Sequence, residues 1–195
     1  MNPPDILAAL TPVADALECL GIAYHIGGSV ASSAHGIART TLDVDLVADL
    51  VLSHVRPLVE TLQGTYYIDE EMVREAVQQR SSFNVIHLET VLKVDVFVLK
   101  ARPYDREAFR RMRRDTLDEA GDAREFYVAS PEDVILNKLE WYRLGGGVSD
   151  RQWSDVLGVL KVQKDSLDYA YLRRWAVDLG VSDLLDRALE DAGIA

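Results

Sequence analysis

Polar and apolar residues alternate at the start of two otherwise apolar stretches of the chain, Asp43-Val44-Asp45-Leu46-Val47 and Lys93-Val94-Asp95-Val96-Phe97-Val98. A period of two is the signature of a strand, and it sends every second side chain to the same face. Ser82 to Leu88 and Val91 to Leu99 predict a hairpin turning at Glu89-Thr90, while Ile22 to Ile26, Thr65 to Ile68 and Phe126 to Val128 predict shorter strands. Between them the period lengthens. Val13, Ala16, Leu17 and Leu20 line one face of a helix expected to open at Thr11-Pro12 and to stop at Gly21. Further helices are expected through Ala34, from Ser53 to Gln63 and from Asp69 to Gln79. Beyond Val128 the pattern is helical only: Ser130 to Leu144, halted by Gly145-Gly146-Gly147, a helix capped by Ser149 with Gln152, then Leu167 to Leu179 and Ser182 to Ala192. The expected fold class is α/β (α+β): a small mixed β-sheet core flanked by helices, residues 1–129, followed by a C-terminal helical bundle, residues 130–195.

The strand at Thr41-Leu42-Asp43-Val44-Asp45 carries two carboxylates on one face, where they repel each other and call for a cation. Asp95 stands in an apolar, β-branched run, where a lone charge is costly. A hard divalent ion satisfies all three, so Asp43, Asp45 and Asp95 are candidate ligands for Mg2+, with Mn2+ as the other candidate. A salt bridge from Asp95 to Lys93 is the plain alternative, as is a solvated turn for the aspartate pair. Upstream, Gly27-Gly28-Ser29 follows a short buried strand and opens a helix, so its amides and the Ser29 hydroxyl form a candidate anion site. Thirteen residues separate Ser29 from Asp43, and among them Arg39, Thr40 and Thr41 offer a cation and hydroxyls for phosphates.

In this order, Gly28-Ser29, Asp43-Val44-Asp45 and Asp95 resemble the signature of polymerase-beta-type nucleotidyltransferases. Ser130-Pro131-Glu132-Asp133-Val134-Ile135-Leu136-Asn137-Lys138-Leu139 and Asp150-Arg151-Gln152-Trp153-Ser154-Asp155-Val156 are similar to the lysine and aspartate motifs of the AbiEii-type bacterial nucleotidyltransferases, a subgroup that includes toxins of toxin-antitoxin pairs. The resemblance implies metal-dependent transfer of a nucleoside monophosphate from an NTP to an acceptor hydroxyl. It also implies catalytic roles for Asp43, Asp45 and Asp95, and nucleotide binding by Gly27, Gly28, Ser29, Arg39, Thr40, Lys138 and Asp155. Lys138 shares the inward stripe of its helix, and it reads either as a phosphate ligand or as a snorkelling lysine paired with a glutamate. For Asp155, Arg151 at i−4 is the alternative partner.

Charge bears on the acceptor. A formal net charge of −11 disfavours nonspecific nucleic-acid binding and suits a cationic acceptor such as an aminoglycoside, so an antibiotic adenylyltransferase is one alternative. Against this, six arginines fall within residues 102–114, and on a helix Arg106, Arg110, Arg113 and Arg114 would share a face able to grip a triphosphate or an RNA acceptor such as tRNA; a solvated helix side paired with Asp105, Glu107 and Asp115 is the plain alternative. A cognate toxin or antitoxin is then the expected protein partner. A noncatalytic nucleotide-binding or antitoxin module is the remaining alternative, although such a protein would be free to lose a carboxylate. Cys19 is the only cysteine, which excludes an intrachain disulfide. No run is long and apolar enough for a membrane span, and Met1-Asn2-Pro3-Pro4-Asp5 lacks a secretion signal, so a cytoplasmic location is expected.

Overall fold

The two aspartate strands lie side by side: β2 (Asp43–Ala48) pairs in parallel with β5 (Lys93–Val98) in a computed structural model that describes residues 3–41, 43–117 and 124–194. Met1, Asn2 and Leu42, used in the sequence reading, lie outside the described residues. Around the pair stand β1 (Tyr24–Ile26), β3 (Tyr66–Tyr67), β4 (Ser82–His87), β6 (Arg113–Thr116) and β7 (Glu125–Val128), in the order β3-β4-β5-β2-β1-β7-β6. The β4–β5 hairpin is antiparallel and turns where expected, with Val91 at φ 58. The sheet is mixed, because β1 also pairs in parallel with β7. The expected fold class is the one observed.

Chain contacts group the protein into two units, Met1–Gly27 with Thr40–Val128, and Gly28–Arg39 with Ala129–Ala195. The first holds the sheet and α1 (Pro3–Cys19), α3 (Leu52–Leu62), α4 (Glu70–Gln79) and α5 (Pro103–Arg110). One sheet face is fully buried through Val44, Leu46, Ala48, Val94, Val96 and Val98. Helix α1 contacts β2 and β5 on this side, and the buried Tyr66 donates its hydroxyl proton to the Ala9 carbonyl at 2.7 Å. The opposite face carries the partly exposed alternate positions, which include Asp43, Asp45, Lys93 and Asp95.

Two expectations are corrected here. Thr11-Pro12 does not open a helix: α1 begins at Pro3, and Pro12 lies inside it. Ala9 and Leu10, one turn earlier, are completely buried, and anchoring them to the sheet offsets the one backbone bond that proline cannot make. The arginine segment is not one helix either. Helix α5 ends at Arg110, and Arg113 and Arg114 belong to the edge strand β6, so the four-arginine helical face does not form. Pairing of Arg113 to Thr116 with Val128 to Glu125 overrides the low strand preference of Arg-Arg-Asp. Edge strands tolerate such charge. Several of these arginines are partnered: Arg102 with Asp105 at 2.6 Å, Arg110 with Glu107 at 3.4 Å, and Arg114 with Glu125 at 3.5 Å and the Tyr127 ring.

The second unit contains α2 (Gly28–His35), α6 (Pro131–Leu144), α7 (Asp150–Gln163), α8 (Tyr169–Asp178) and α9 (Ser182–Ala192). Ser130 and Ser149 cap α6 and α7 as expected, accepting from the amides of Asp133 and Gln152. Helix α2 packs on α6 and α7, and His35 donates from Nε2 to the Ala129 carbonyl at 2.7 Å. Immediately after it Gly36 presses on α7: a Cβ there would stand 2.8 Å from the Val159 nitrogen and 2.9 Å from the Gly158 carbonyl carbon. Gly36→Ala is therefore expected to destabilise the protein by roughly 1–3 kcal/mol. Thermal melting checks this against Gly64→Ala, whose Cβ would meet nothing within 4 Å.

His25 in β1 is 4% exposed and tilts against Phe109. Burial pushes its imidazole down to about 4. Because the unfolded chain takes up the proton near pH 6.5, this contribution is complete above that pH and is lost as pH falls toward the folded value, on the order of 3 kcal/mol in all. Urea unfolding of the wild type should weaken between pH 7 and about pH 4.5 more than that of His25→Phe, which keeps a ring and does not titrate.

Candidate functional site

In the first unit, register and not chain order assembles the site. Asp45 on β2 is level with Asp95 on β5, and Asp43 is level with Lys93. Paired residues of adjacent strands face the same side, so the three carboxylates and the lysine share one face about 5 Å apart from strand to strand. Asn84 on β4 is in turn level with Asp95, which extends the polar row by one strand. Nothing in the local sequence marked Asn84, because only the hairpin register brings it there.

The side chains on this face are already partnered. Lys93 Nζ lies 2.6 Å from Asp95 Oδ2, and the Thr41 hydroxyl donates to Asp43 Oδ1 at 2.8 Å. The hydrogen bond it donates to Asp95 is the main reason the Lys93 ammonium titrates above the usual lysine range, with Asp43 and Asp45 adding to it. Among the described residues no three acidic, histidine or cysteine side chains are drawn together to hold a metal ion. The donor set nevertheless fits one: three hard carboxylate oxygens on one face, two of them level on neighbouring strands, match the preference of Mg2+ or Mn2+. The salt bridge to Lys93 is thus formed, as one sequence expectation held.

Gly27 follows β1, and its amide donates to the Asp45 carbonyl at 2.9 Å. A Cβ at Gly27 would meet nothing within 4 Å, so packing does not demand glycine there and the backbone stays open to approach. Gly28 has φ 54, a left-handed conformation that glycine adopts without strain.

In the second unit, Asp155 is the hub. Arg39 reaches it with two bonds, Nε to Oδ1 at 2.8 Å and Nη2 to Oδ2 at 3.0 Å, and Lys138 Nζ contacts Oδ2 at 2.7 Å. The same Arg39 Nη2 donates to the Ser29 hydroxyl. Ser29, Arg39, Asp155 and Lys138, four of the candidate nucleotide-binding residues, therefore form one connected network. Burial acts to raise the Asp155 carboxyl, but the Arg39 and Lys138 cations outweigh it and hold it below the usual carboxylate range. Two partner expectations change: Lys138 pairs with Asp155 and not with a glutamate, and Asp155 pairs across 116 residues with Arg39 and not with Arg151. Thr40 is exposed on the surface.

The fold is that of the nucleotidyltransferases. No family model matches the sequence, and no curated protein matches it; solved structures do. The chain is similar to a nucleotidyltransferase-like antigenic protein of Paracoccidioides brasiliensis at 17% identity and a TM-score of 0.57, covering 97% of this chain and 92% of that one. The antibiotic-resistance factor ANT(2'')-Ia in complex with adenylyl-2''-tobramycin gives a TM-score of 0.57 at 12% identity, over 89% of this chain and 95% of the other. The lincosamide antibiotic adenylyltransferase LnuA with bound lincomycin gives 0.50 at 14% identity, over 83% and 98%. Among the described residues no helix is long and apolar enough to cross a membrane.

Proposed function

We propose that the protein is a metal-dependent nucleotidyltransferase that moves a nucleoside monophosphate from an NTP to an acceptor hydroxyl and releases pyrophosphate. The observation that carries this is the shared sheet face of Asp43, Asp45 and Asp95, set in a nucleotidyltransferase fold. In the reaction the acceptor oxygen bonds to the α-phosphorus, the bond from that phosphorus to the bridging oxygen of the β-phosphate breaks, and the hydroxyl proton passes to a carboxylate. Asp95 is the candidate acceptor of that proton. Asp43, Asp45 and Asp95 would hold Mg2+ or Mn2+, which when bound neutralises phosphate charge and favours the attacking alkoxide. Gly27, Gly28, Ser29, Arg39, Thr40 and Lys138 would bind the nucleotide. Asp155 holds Arg39 and Lys138 in place and keeps two cations together that would otherwise repel.

A small cationic acceptor is favoured over RNA. The helical arginine face that spoke for RNA does not form, and the net charge of −11 suits a cation. The tobramycin and lincomycin complexes of proteins of the same fold are consistent with an antibiotic-class acceptor. The test is incubation with each labelled NTP, Mg2+ and either an aminoglycoside and lincosamide panel or total tRNA. Labelling of a small molecule is the expected result. Labelling of tRNA alone would favour the tRNA-modifying toxin reading, with an antitoxin as its partner, and labelling of neither would overturn the proposal.

A further inference from the structure

Lys93 is the charged member of the carboxylate face that the proposed reaction does not use. It stands two residues before Asp95 on the same strand, so their ion pair joins no two elements of the fold and contributes no tertiary link. What it supplies is charge. Its ammonium contacts Asp95 directly and stands on the strand position level with Asp43. Three carboxylates set against one lysine leave two negative charges, the charge a divalent cation brings. The Lys93 side chain is 44% exposed while Asp95 is 19% exposed, so the ammonium has a path into water and the carboxylate remains in place. A four-carbon stem with a compact, freely rotating head can make that move; a rigid guanidinium fork is less suited to it.

We infer that Lys93 is the site's built-in counter-ion, paired with Asp95 while no divalent cation is bound and displaced from it when one binds. The inference rests on Asp43, Asp45 and Asp95 being metal ligands. Cation binding is then an exchange: the Lys93–Asp95 bond breaks as Asp95 takes up the metal, and the released ammonium is free to meet an anionic ligand. Lys93 therefore lowers apparent metal affinity while protecting the metal-free sheet face from repulsion among its own carboxylates.

The experiment is titration calorimetry with MgCl2 and with MnCl2, without nucleotide, on the wild type, Lys93→Met and Lys93→Arg, together with metal-free thermal melting. Lys93→Met is expected to bind Mg2+ about two- to five-fold more tightly, the scale of a partly exposed ion pair, and to melt at a lower temperature without metal. Lys93→Arg, which keeps the charge, is expected to restore both properties toward the wild type. As a readout independent of any variant's folding, the NMR signals of the Lys93 side chain in the wild type should move on addition of Mg2+. Unchanged or weaker Mg2+ binding by Lys93→Met, or a Lys93 signal that does not respond to Mg2+ in a wild type that binds it, would overturn the exchange alone. A wild type that binds neither ion overturns the metal assignment of the carboxylates and the exchange with it.

Discussion

Replacing Asp43 and Asp45 together by asparagine is expected to abolish divalent-metal-dependent NTP turnover while the protein stays folded. Both side chains keep their shape, and Thr41 can still donate to the Oδ1 oxygen at position 43. Asp95 retains Lys93, so its charge is not stranded. What is lost is the pair of anions that would hold the metal. The several kcal/mol that a bound metal contributes at the transition state correspond to about a thousand-fold in rate or more. Two fewer like charges on one sheet face relieve repulsion, so melting without metal should hold or rise. Activity and melting with and without Mg2+ are measured side by side. Wild-type turnover in the double variant would remove the carboxylates from the chemistry.

The second large effect is on stability. Asp155→Ala leaves Lys138, only 7% exposed along its side chain, buried without its anion, and takes from Arg39 both of its bonds to that carboxylate. Stranding a buried charge typically costs about 3–5 kcal/mol, which for a chain of this size lowers the melting temperature by roughly 6–20 °C. Adding Lys138→Met should recover much of the loss, since Arg39 is 31% exposed and can turn to water. The pH dependence has a definite sign. The Asp155 carboxyl is held below its ordinary range, so its contribution is complete at neutral pH and is lost only as strong acid protonates the folded form. Calorimetric melting of both variants at neutral pH decides the matter. Equal stability of Asp155→Ala and wild type would show that the network carries no structural charge. If the double variant folds, its affinity for a nonhydrolysable NTP isolates the part Lys138 plays in phosphate binding.

Local chemistry was readable from the chain wherever the partner lies within a few residues. Period-two alternation placed Asp43 and Asp45 on one strand face, the serines at 130 and 149 announced their caps, and Gly21, at φ 67, ends the first helix because the left-handed turn there favours glycine. The failures have a shared cause. Thr11-Pro12 carries a sound local start signal, yet burial of Ala9 and Leu10 against the sheet extends α1 across it. Arg113 and Arg114 continue a helical-looking charge pattern, yet β7 captures them as an edge strand. In both cases a distant surface outweighs a local preference of at most a few kcal/mol.

By itself, then, the sequence determined most of the elements, the two-residue spacing that gives Asp43 and Asp45 a common face, and the candidate residues for phosphate and metal. Only the tertiary structure decided which of these meet. Strand register, set by pairing and burial across the whole sheet, brings Asp95 level with Asp45 and Asn84 level with Asp95. Side-chain reach across 116 residues gives Asp155 to Arg39 instead of its helical neighbour Arg151. Close packing at Gly36 sets α2 among the C-terminal helices rather than with the strands that flank it in the chain. Such pairings depend on which surfaces bury each other, and a one-dimensional pattern holds the preferences of each residue but not the identity of its distant partner.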